Sequence, residues 1–585
     1  MLAVPAFLNV ESSLTGKRWV GPSVAHDRQA QHLAQMTGHP PAVCAILARL
    51  GVEAEQVEQF LAPSLRDLLP DPRNLKDMKR AAERFLSAVS KREKIAVFAD
   101  YDVDGATSAA LLITWLRQMG LPATLYVPDR IDEGYGPNAP AMSALARDHD
   151  LIVCVDCGTL SHDAIAAAKG ADVIILDHHL GGETLPDAHA VVNPNRQDES
   201  GELAHLCAAA VVFLMLVECG RQLRENGTKG PDLMSMLDLV GLATVADVAP
   251  LIGINRAFVR QGLKVMAQRK RLGLRVLSDT ARLDTAPTPY HLGFVLGPRI
   301  NAGGRIGQAD LGARLLSTED PHEAAALAER LETLNSERRE VEAAVRAAAI
   351  EQAEDRGFDA PLVWASGDGW HPGVVGIVAS RLKEKANRPS IVIGFEDDIG
   401  KGSGRSVSGV DLGAAIQRLA MDGLIEKGGG HKMAAGLTVT RAQLEPAMQR
   451  LSELLAKQGA DARGPVDLRC DAAVMPGAAT VSLLEQLDTV GPFGASAPAP
   501  RFVLPSIRIG FAKRVGESHL KLTLRDDAGT TLDAIAFGAF ESDLGQALTD
   551  GQGSHFHIAG RLEVNSWGGR QRVQMRVEDA APAQT

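Results

Sequence analysis

Cysteine is scarce in this chain: six residues in 585 are too few for a disulfide framework and exclude the small, cross-linked secreted class. Long apolar runs are missing as well. The longest, from about Leu206 to Cys219, is too short to span a bilayer and reads as a buried helix, so no membrane association is expected. The opening stretch MLAVPAFLNVESSLTGKRWV lacks a basic start, a clean apolar core and a small-residue cleavage site. No signal peptide is expected, and a cytoplasmic location is the default. A basic excess is also absent. The net charge of −11 argues against a phosphate-binding surface spread over the whole chain. Charge can still be segregated, and a carboxylate-rich metal site adds negative charge that bound cations would offset. What is present is ordinary for a globular protein, 45% hydrophobic and 23% charged, in a chain too long for one core, so several domains are expected.

From Ile95 onward, short strands rich in Val and Ile alternate with helical stretches: IAVFAD, ATLYVPDR, LIVCVDCG, DVIILDHH and AHAVVNPN. That alternation predicts an α/β domain with a mostly parallel sheet over residues 71–318. A helical region of no evident chemistry, residues 1–70, precedes it. The Ala-, Glu- and Arg-rich stretch 319–356 predicts a long helical connector. A second α/β domain is expected over 357–460, with glycine-rich turns. Residues 465–580 turn all-β, and short alternating segments between Gly and Asp turns predict a small OB-type barrel.

Ionisable residues recur where the predicted strands end. Asp100, Asp102 and Asp104 follow IAVF, Asp156 follows LIVCV, and Asp177, His178 and His179 follow VIIL. Asp247 interrupts the apolar LATVADVAPL. A single loop aspartate is commonly a turn former or cap. Several strands ending the same way predict a shared metal site at the carboxyl edge of the sheet. Oxygen donors with one or two imidazoles suit Mn²⁺ or Mg²⁺, and so many carboxylates suit two ions sharing a bridge, the arrangement that hydrolyses phosphoesters. Alternation along an extended segment would set Asp100, Asp102 and Asp104 on one side, with Gly105 turning the chain and Thr107 starting the helix behind them. Cys154 and Cys157 form a C-x-x-C pair with no second pair at zinc spacing, and are expected to be packing residues.

DYDVDG, VDCG, DHH and VADVAPL resemble the four ordered motifs of the DHH phosphoesterase superfamily. The resemblance implies Asp102, Asp104, Asp156, His178 and Asp247 as metal ligands, with Asp156 the bridge and Asp100 and His179 beside them. Between the two histidines His178 is preferred as a ligand, because adjacent side chains on an extended segment point opposite ways.

KGSGRSVSG, Lys401 to Gly409, and EKGGGHKMAAG, Glu426 to Gly436, combine glycines with cations. Backbone N–H groups there, with Ser403, Arg405, Ser406, His431 and Lys432, predict a phosphate cradle. Neither is a P-loop, so no ATP hydrolysis is expected. GGGHKMAAG resembles the DHH-associated domain. GDGWHPGVVGIVASRL and GPRINAGGRIG narrow the resemblance to the RecJ-type exonucleases, which degrade single-stranded DNA from the 5′ end. That resemblance implies Arg299 and Arg305 as backbone contacts and Ser403 and Arg405 at the substrate's 5′ end, in a groove between the two α/β domains closed by the barrel. It also implies single-strand-binding protein and a RecQ-type helicase as partners.

The barrel region carries Arg501, Arg508, Lys513, Arg514, Lys521 and Arg525, continued by Trp567, Arg570, Arg572 and Arg576. Cations with few aromatics predict a single-strand platform that follows the backbone by charge more than by stacking. The expected activity is 5′→3′ hydrolysis of single-stranded DNA to 5′-mononucleotides by two metal ions. The alternatives are a DHH phosphodiesterase for short oligonucleotides or cyclic dinucleotides, which would need no basic barrel, and a DNA-binding scaffold without activity, which should have lost metal ligands.

Overall fold

The computed structural model describes residues 5–130, 132–460, 466–567 and 570–583. The side chains of Trp567 and Arg570, read above as part of the basic barrel face, lie outside the described residues. The described residues within Leu69–Pro250 and Asn255–Arg463 form one compact unit, and those within Met1–Leu68, Leu251–Ile254 and Gly464–Thr585 form another.

In the first unit, β1 (Ile95–Ala99), β2 (Ala123–Tyr126), β3 (Leu151–Val155), β4 (Asp172–Leu176) and β5 (Ala190–Val192) form a sheet of order β2-β1-β3-β4-β5. Every pairing is parallel, as the sequence predicts. Every residue of β1 and β3 is buried, because helices cover both faces and leave no solvated side to be polar. Helix α1 (Val103–Gln118) follows β1, and α2 (Ala208–Glu225) holds the long apolar run, almost wholly buried. Helix α3 (Leu237–Ala246) ends at Asp247. A π-helical turn, Leu292–Leu296, leads directly into α4 (Gly297–Ile306). Cys154 and Cys157 are fully buried in one apolar cluster, so they are packing residues, although Cys157 lies beyond the strand.

The predicted connector is a single helix, α5 (Pro321–Arg356), of 36 residues. It is not merely solvated. Leu331 and Leu334 lie against Gly303 of α4 and Gly307 just after it, while Val345, Ala349 and Ala353 join the core of the following lobe. That lobe contains β6 (Val363–Asp368), α6 (Pro372–Ala386), β7 (Ser390–Glu396), β8 (Ile399–Arg405), α7 (Leu412–Met421), β9 (Lys427–Gly430) and β10 (Ala434–Thr440). Its sheet order is β9-β10-β8-β7-β6, with only β6 and β7 parallel. KGSGR is therefore not a turn but strand β8, pinned between β7 and β10. A Cβ on Gly404 would press into Leu412 and Ile391, so packing demands glycine there.

In the second unit, β11 (Phe502–Val515), β12 (His519–Arg525), β13 (Thr531–Ala536), β14 (His555–Trp567) and β15 (Arg570–Pro582) close into a five-stranded barrel through the β11–β14 pairing. The N-terminal helical residues share the barrel's core: Leu33, Val43, Ile46 and Leu47 cluster with Leu504, Ile507 and Leu522. Buried Trp19 donates its indole N–H to Asp579 at 2.8 Å. Among the described residues no helix is long and apolar enough to cross a membrane.

Candidate metal centre and phosphate site

The parallel register brings the acidic residues together. Ala99 pairs with Val155, and Val155 with Leu176, so Asp100, Asp156 and Asp177 emerge side by side. Each keeps its backbone N–H in the ladder, to Val155 O, Leu176 O and Val192 O respectively. Their side chains then diverge. Asp177 accepts from Thr159 Oγ1 (2.6 Å) and Thr159 N (3.0 Å), from His178 N (2.7 Å), and from His179 Nδ1 (2.8 Å). Asn193 Nδ2 donates to Thr159 Oγ1 and to His179 O, and Asn195 Nδ2 to His178 O. The DHH loop is thus fixed from beneath, with Asp177 orienting His179 instead of facing the cluster.

Asp102 and Asp104 do not lie on an extended segment with Asp100. Helix α1 begins at Val103, earlier than the sequence predicts, and Asp102 caps it: Oδ1 accepts from Asp104 N at 2.8 Å and Gly105 N at 3.2 Å. Asp104 sits in the first turn and accepts from Ala208 N (2.6 Å) and Ala209 N (2.8 Å) at the start of α2. A helix N-terminus favours an anion at that position. Gly105 is helical, and a Cβ there would collide with the backbone of Asp100. Thr107 bonds back to Val103 O at 2.8 Å and starts nothing. Asn301 of α4 accepts from Val103 N at 3.0 Å, completing the cap.

Three groups of side chains converge closely enough to hold ions: Asp156 with His178 and His179; Asp104 with His178 and Asp247; and Asp100 with Asp102 and Asp156. His178 Nε2 lies 3.3 Å from Asp156 Oδ1 and 3.6 Å from Asp104 Oδ2, and its Nδ1 is 3.9 Å from Asp247 Oδ2. His179 Nδ1 lies 3.9 Å from Asp156 Oδ1. Both imidazoles therefore face the same cluster. The expected opposition between neighbours fails because β4 ends at Leu176 and the two histidines occupy a loop.

Electrostatically the cluster is in tension. Burial, then the other carboxylates, holds Asp156 well above the usual carboxylate range. Burial and Asp102 do the same to Asp100. Burial with Asp104 and Asp102 pushes Asp247 up to about 8. His179 is raised to about 9, its bond and charge pairing with Asp177 outweighing burial. Buried Asp100 Oδ1 and Asp156 Oδ1 have no hydrogen-bond partner. Asp156 also adopts a left-handed φ of 61°, and Val248, next to Asp247, one of 59°. Strain of this kind, at a β-branched residue above all, persists only where the surroundings impose it. Unpartnered carboxylate oxygens, mutual repulsion and an O/N donor set all fit Mn²⁺ or Mg²⁺.

A cationic site forms where α4 meets α6. Arg305 donates to Gly373 O at 3.0 Å, and a Cβ on Gly376 would lie 3.1 Å from the Arg405 guanidinium and 3.4 Å from Ser403 Oγ. Arg130 reaches over the Tyr101 ring at 5.2 Å. Burial and, secondarily, Arg130 lower Arg405 and His371, and burial with Arg130 and Arg338 lowers Arg305 to about 10. Asp102 offsets part of this on Arg305, and Arg130 acts on Asp100 in turn, so the cationic group adjoins the carboxylate cluster. The other predicted phosphate ligands differ. Arg299 is committed to Glu332 and to Val295 O (2.8 Å). Ser406 is buried, donating to Val410 O at 2.9 Å. His431 and Lys432 are exposed in the β9–β10 turn, at the same sheet end as Arg405, which pairs with Ala434.

Sequence reasoning missed Arg130, Tyr135, His371, Asn193 and Asn195. Tyr135 Oη reaches Asp156 O and His179 Nδ1, both at 3.1 Å. These residues stand in loops or caps, where no periodicity marks them. The repeated Asn of VVNPN, after a strand ending at the same edge, is the one sequence signal that could have been used.

Residues 94–244 match the DHH family N-terminal domain, 359–457 the DHHA1 domain and 470–579 the RecJ OB domain. With the acidic sheet edge above, they define a metal-dependent DHH phosphoesterase. The chain is 38% identical, over 93% of its length and 97% of the relative's, to the single-stranded-DNA-specific exonuclease RecJ of Dickeya dadantii. It is 35% identical to that of Escherichia coli, covering 93% of this chain and 96% of the relative. The chain belongs to the RecJ family. The crystal structure of RecJ from Thermus thermophilus in complex with Mn²⁺ superposes with a TM-score of 0.79 at 28% identity, over 97% of this chain and 80% of that one.

Asp177→Asn should loosen the loop that carries His178, whose backbone N–H Asp177 accepts at 2.7 Å, and raise the Mn²⁺ concentration needed for activity by roughly 10–100-fold. The measurement is a metal titration at fixed substrate, and an unchanged requirement would remove Asp177 from that role.

Proposed function

We infer that this chain is a 5′→3′ exonuclease that hydrolyses single-stranded DNA to 5′-mononucleotides, in DNA repair and recombination. The observation that carries the reading is similarity to single-stranded-DNA-specific exonucleases along nearly the whole chain, together with a full set of converging carboxylates and imidazoles.

In this reading Asp102, Asp104, Asp156, His178 and Asp247 would hold two divalent cations, with Asp156 as the shared ligand and Asp100 alongside. Bound there, the cations would supply Lewis-acid activation for attack of water on phosphorus. His179, oriented by Asp177 and with both ring nitrogens near Tyr135 Oη, lies beside Asp156 and faces a phosphate held there. Arg405 and Ser403, with Arg305 and Arg130, receive the terminal 5′ phosphate, His431 lies at the rim, and Arg299 and Ser406 brace the scaffold. The barrel supplies a strand platform. Its cations divide by role: Lys513 and Lys521 on β11 and β12 face each other across the ladder, whereas Arg501 pairs with Glu578 at 2.6 Å and contributes to the fold. A barrel of this kind is superfluous for a cyclic dinucleotide, which disfavours the small-substrate alternative. Single-strand-binding protein and a RecQ-type helicase are the partners this reading implies, in the cytoplasm.

The test offers purified protein 5′- and 3′-labelled single strands, duplex and a dinucleotide, each with Mn²⁺, Mg²⁺ or chelator. Mononucleotides released from the 5′ end of single strands alone are expected. Cleavage of only the dinucleotide would overturn the reading, and no metal-dependent product would favour an inactive scaffold. In the same assay Arg405→Ala should weaken the preference for a phosphorylated 5′ end. An unchanged preference would take Arg405 out of end recognition.

A further inference from the structure

Asn255, on the helix Gly253–Ala267, is completely buried. Its Nδ2 donates to His205 O at 2.8 Å and to Pro250 O at 3.0 Å, while its Oδ1 has no partner. A buried amide with one end idle is costly, and packing alone would favour leucine there. What the residue supplies is two donors, and both go to loop carbonyls. Asn195 does the same from another loop: its Nδ2 donates to His178 O at 2.6 Å and to Ala204 O at 3.2 Å. The two asparagines therefore meet on neighbouring residues, Ala204 and His205.

That short stretch leads into α2, whose opening turns lie wholly in the core, so it is a rigid reference. Three of the candidate ligands are tied to it. His178 is reached through Asn195. Asp247 is reached through Asn255 and Pro250 just after it, and through Thr244 just before it, whose Oγ1 lies 3.7 Å from Cys207 Sγ. Asp104 accepts directly from Ala208 N and Ala209 N. These three residues make up one of the converging groups. None of them takes its place from the sheet ladder: His178 stands in the loop after β4, Asp247 ends α3, and Asp104 lies in α1. The group of Asp100, Asp102 and Asp156 is built differently. The strand ladder sets Asp100 and Asp156, and the start of α1 sets Asp102.

We propose that Asn195 and Asn255 position one cation-binding set, Asp104 with His178 and Asp247, and have no part in the other, Asp100 with Asp102 and Asp156. The inference rests on the two-cation reading given above. One set comes with the sheet and the helix that follows its first strand. The other has to be assembled from segments far apart in the sequence, and the asparagines are its pins. Both are positioning residues, acting through the backbones that carry His178 and Asp247. Bonds of this kind orient ligands and govern how tightly a metal is held. The amide nitrogen is essential, because every partner is an acceptor and a carboxylate would offer no donor.

The test measures Mn²⁺ binding to the full chain, freed of metal with chelator and dialysed, by titration calorimetry and by the electron paramagnetic resonance signal of Mn²⁺, without DNA. Wild type should bind two ions. Asp247→Asn should remove one binding event and Asp102→Asn the other, which assigns them. Asn195→Ala should weaken the Asp247 event by roughly tenfold or more, the lower end for loss of a ligand-orienting partner, and leave the Asp102 event unchanged. Asn255→Ala should act on the same event. Should that fully buried variant fail to fold, Asn195→Ala, at a half-buried position, decides alone. Equal weakening of both events, or of neither, would overturn the proposal, as would a single ion bound by wild type. Hydrolysis of single strands by wild type in the first two of those cases leaves the exonuclease reading intact. Two ions bound with the expected selectivity but no such hydrolysis would instead overturn the exonuclease reading and leave the role of the asparagines standing.

Discussion

Asp156→Ala should abolish hydrolysis, lowering kcat by at least about a thousandfold, because on the proposed function Asp156 is the ligand the two cations share, and the several kcal/mol contributed by a metal centre are lost with it. Asp156 belongs to two of the three converging groups, and its Oδ1 is the atom nearest His178 Nε2. No other carboxylate can replace it from the same strand, since β3 ends immediately before it. Affinity for single strands, measured by fluorescence anisotropy, should remain largely intact, because the proposed function assigns that task to the arginines and the barrel. Loss of cleavage and binding together would point to misfolding. Asp156→Asn adds a control with an opposite sign: a permanently neutral amide spares the folded chain the cost of a carboxyl held among other carboxylates, so the melting temperature in chelator at about pH 8 should not fall and should rise.

The second large effect is a pH dependence of stability that metal reverses. A carboxyl group whose pKa is higher in the folded than in the unfolded chain keeps its proton on folding while the unfolded chain loses it. Stability then falls as pH rises between the two values and is flat outside them. For Asp247 that window runs from the ordinary 3.8 to about 8, and burial gives Asp100 and Asp156 shifts of the same direction. In chelator the melting temperature should decline steadily as pH rises through this window. With excess Mn²⁺ the decline should vanish or invert, because the ligands bind metal only when deprotonated. A melting temperature equally insensitive to pH with and without Mn²⁺ would show that these carboxylates are not the source of the tension.

Most of the convergence of carboxylates and imidazoles was legible in the sequence, for a simple reason. A fully buried parallel strand is a short apolar run, its end is marked by the first charged residue, and parallel register sets successive ends side by side. Asp100, Asp156 and Asp177 could be placed on those grounds alone. What each carboxylate does once there was not legible. Asp177 turns beneath the loop because Thr159 and His179 supply donors to it, and Asp104 is helical because Asp102 caps α1. The glycines of KGSGR looked like turns, since the sequence alone does not show that β7 and β10 press on them from both sides. Arg299 and Ser406 looked like phosphate ligands until Glu332 and Val410 O claimed them. Arg130 and Tyr135 come from the loop region between β2 and the next helix, held by its own hydrogen bonds around Asp129 and Glu133, where no periodicity marks a position.

Helix α5 has a further consequence. Its N-terminal half packs against α4, which caps the ligand-bearing turn, and its C-terminal half lies in the core beneath α6, where the arginines gather. On the proposed function, the place that would grip a strand's end and the place that would cut it are thus mounted on one rod whose length is set by helical rise and not by a loop. Such a rod would meter, keeping the bite constant from one cut to the next, whatever the bases passing through.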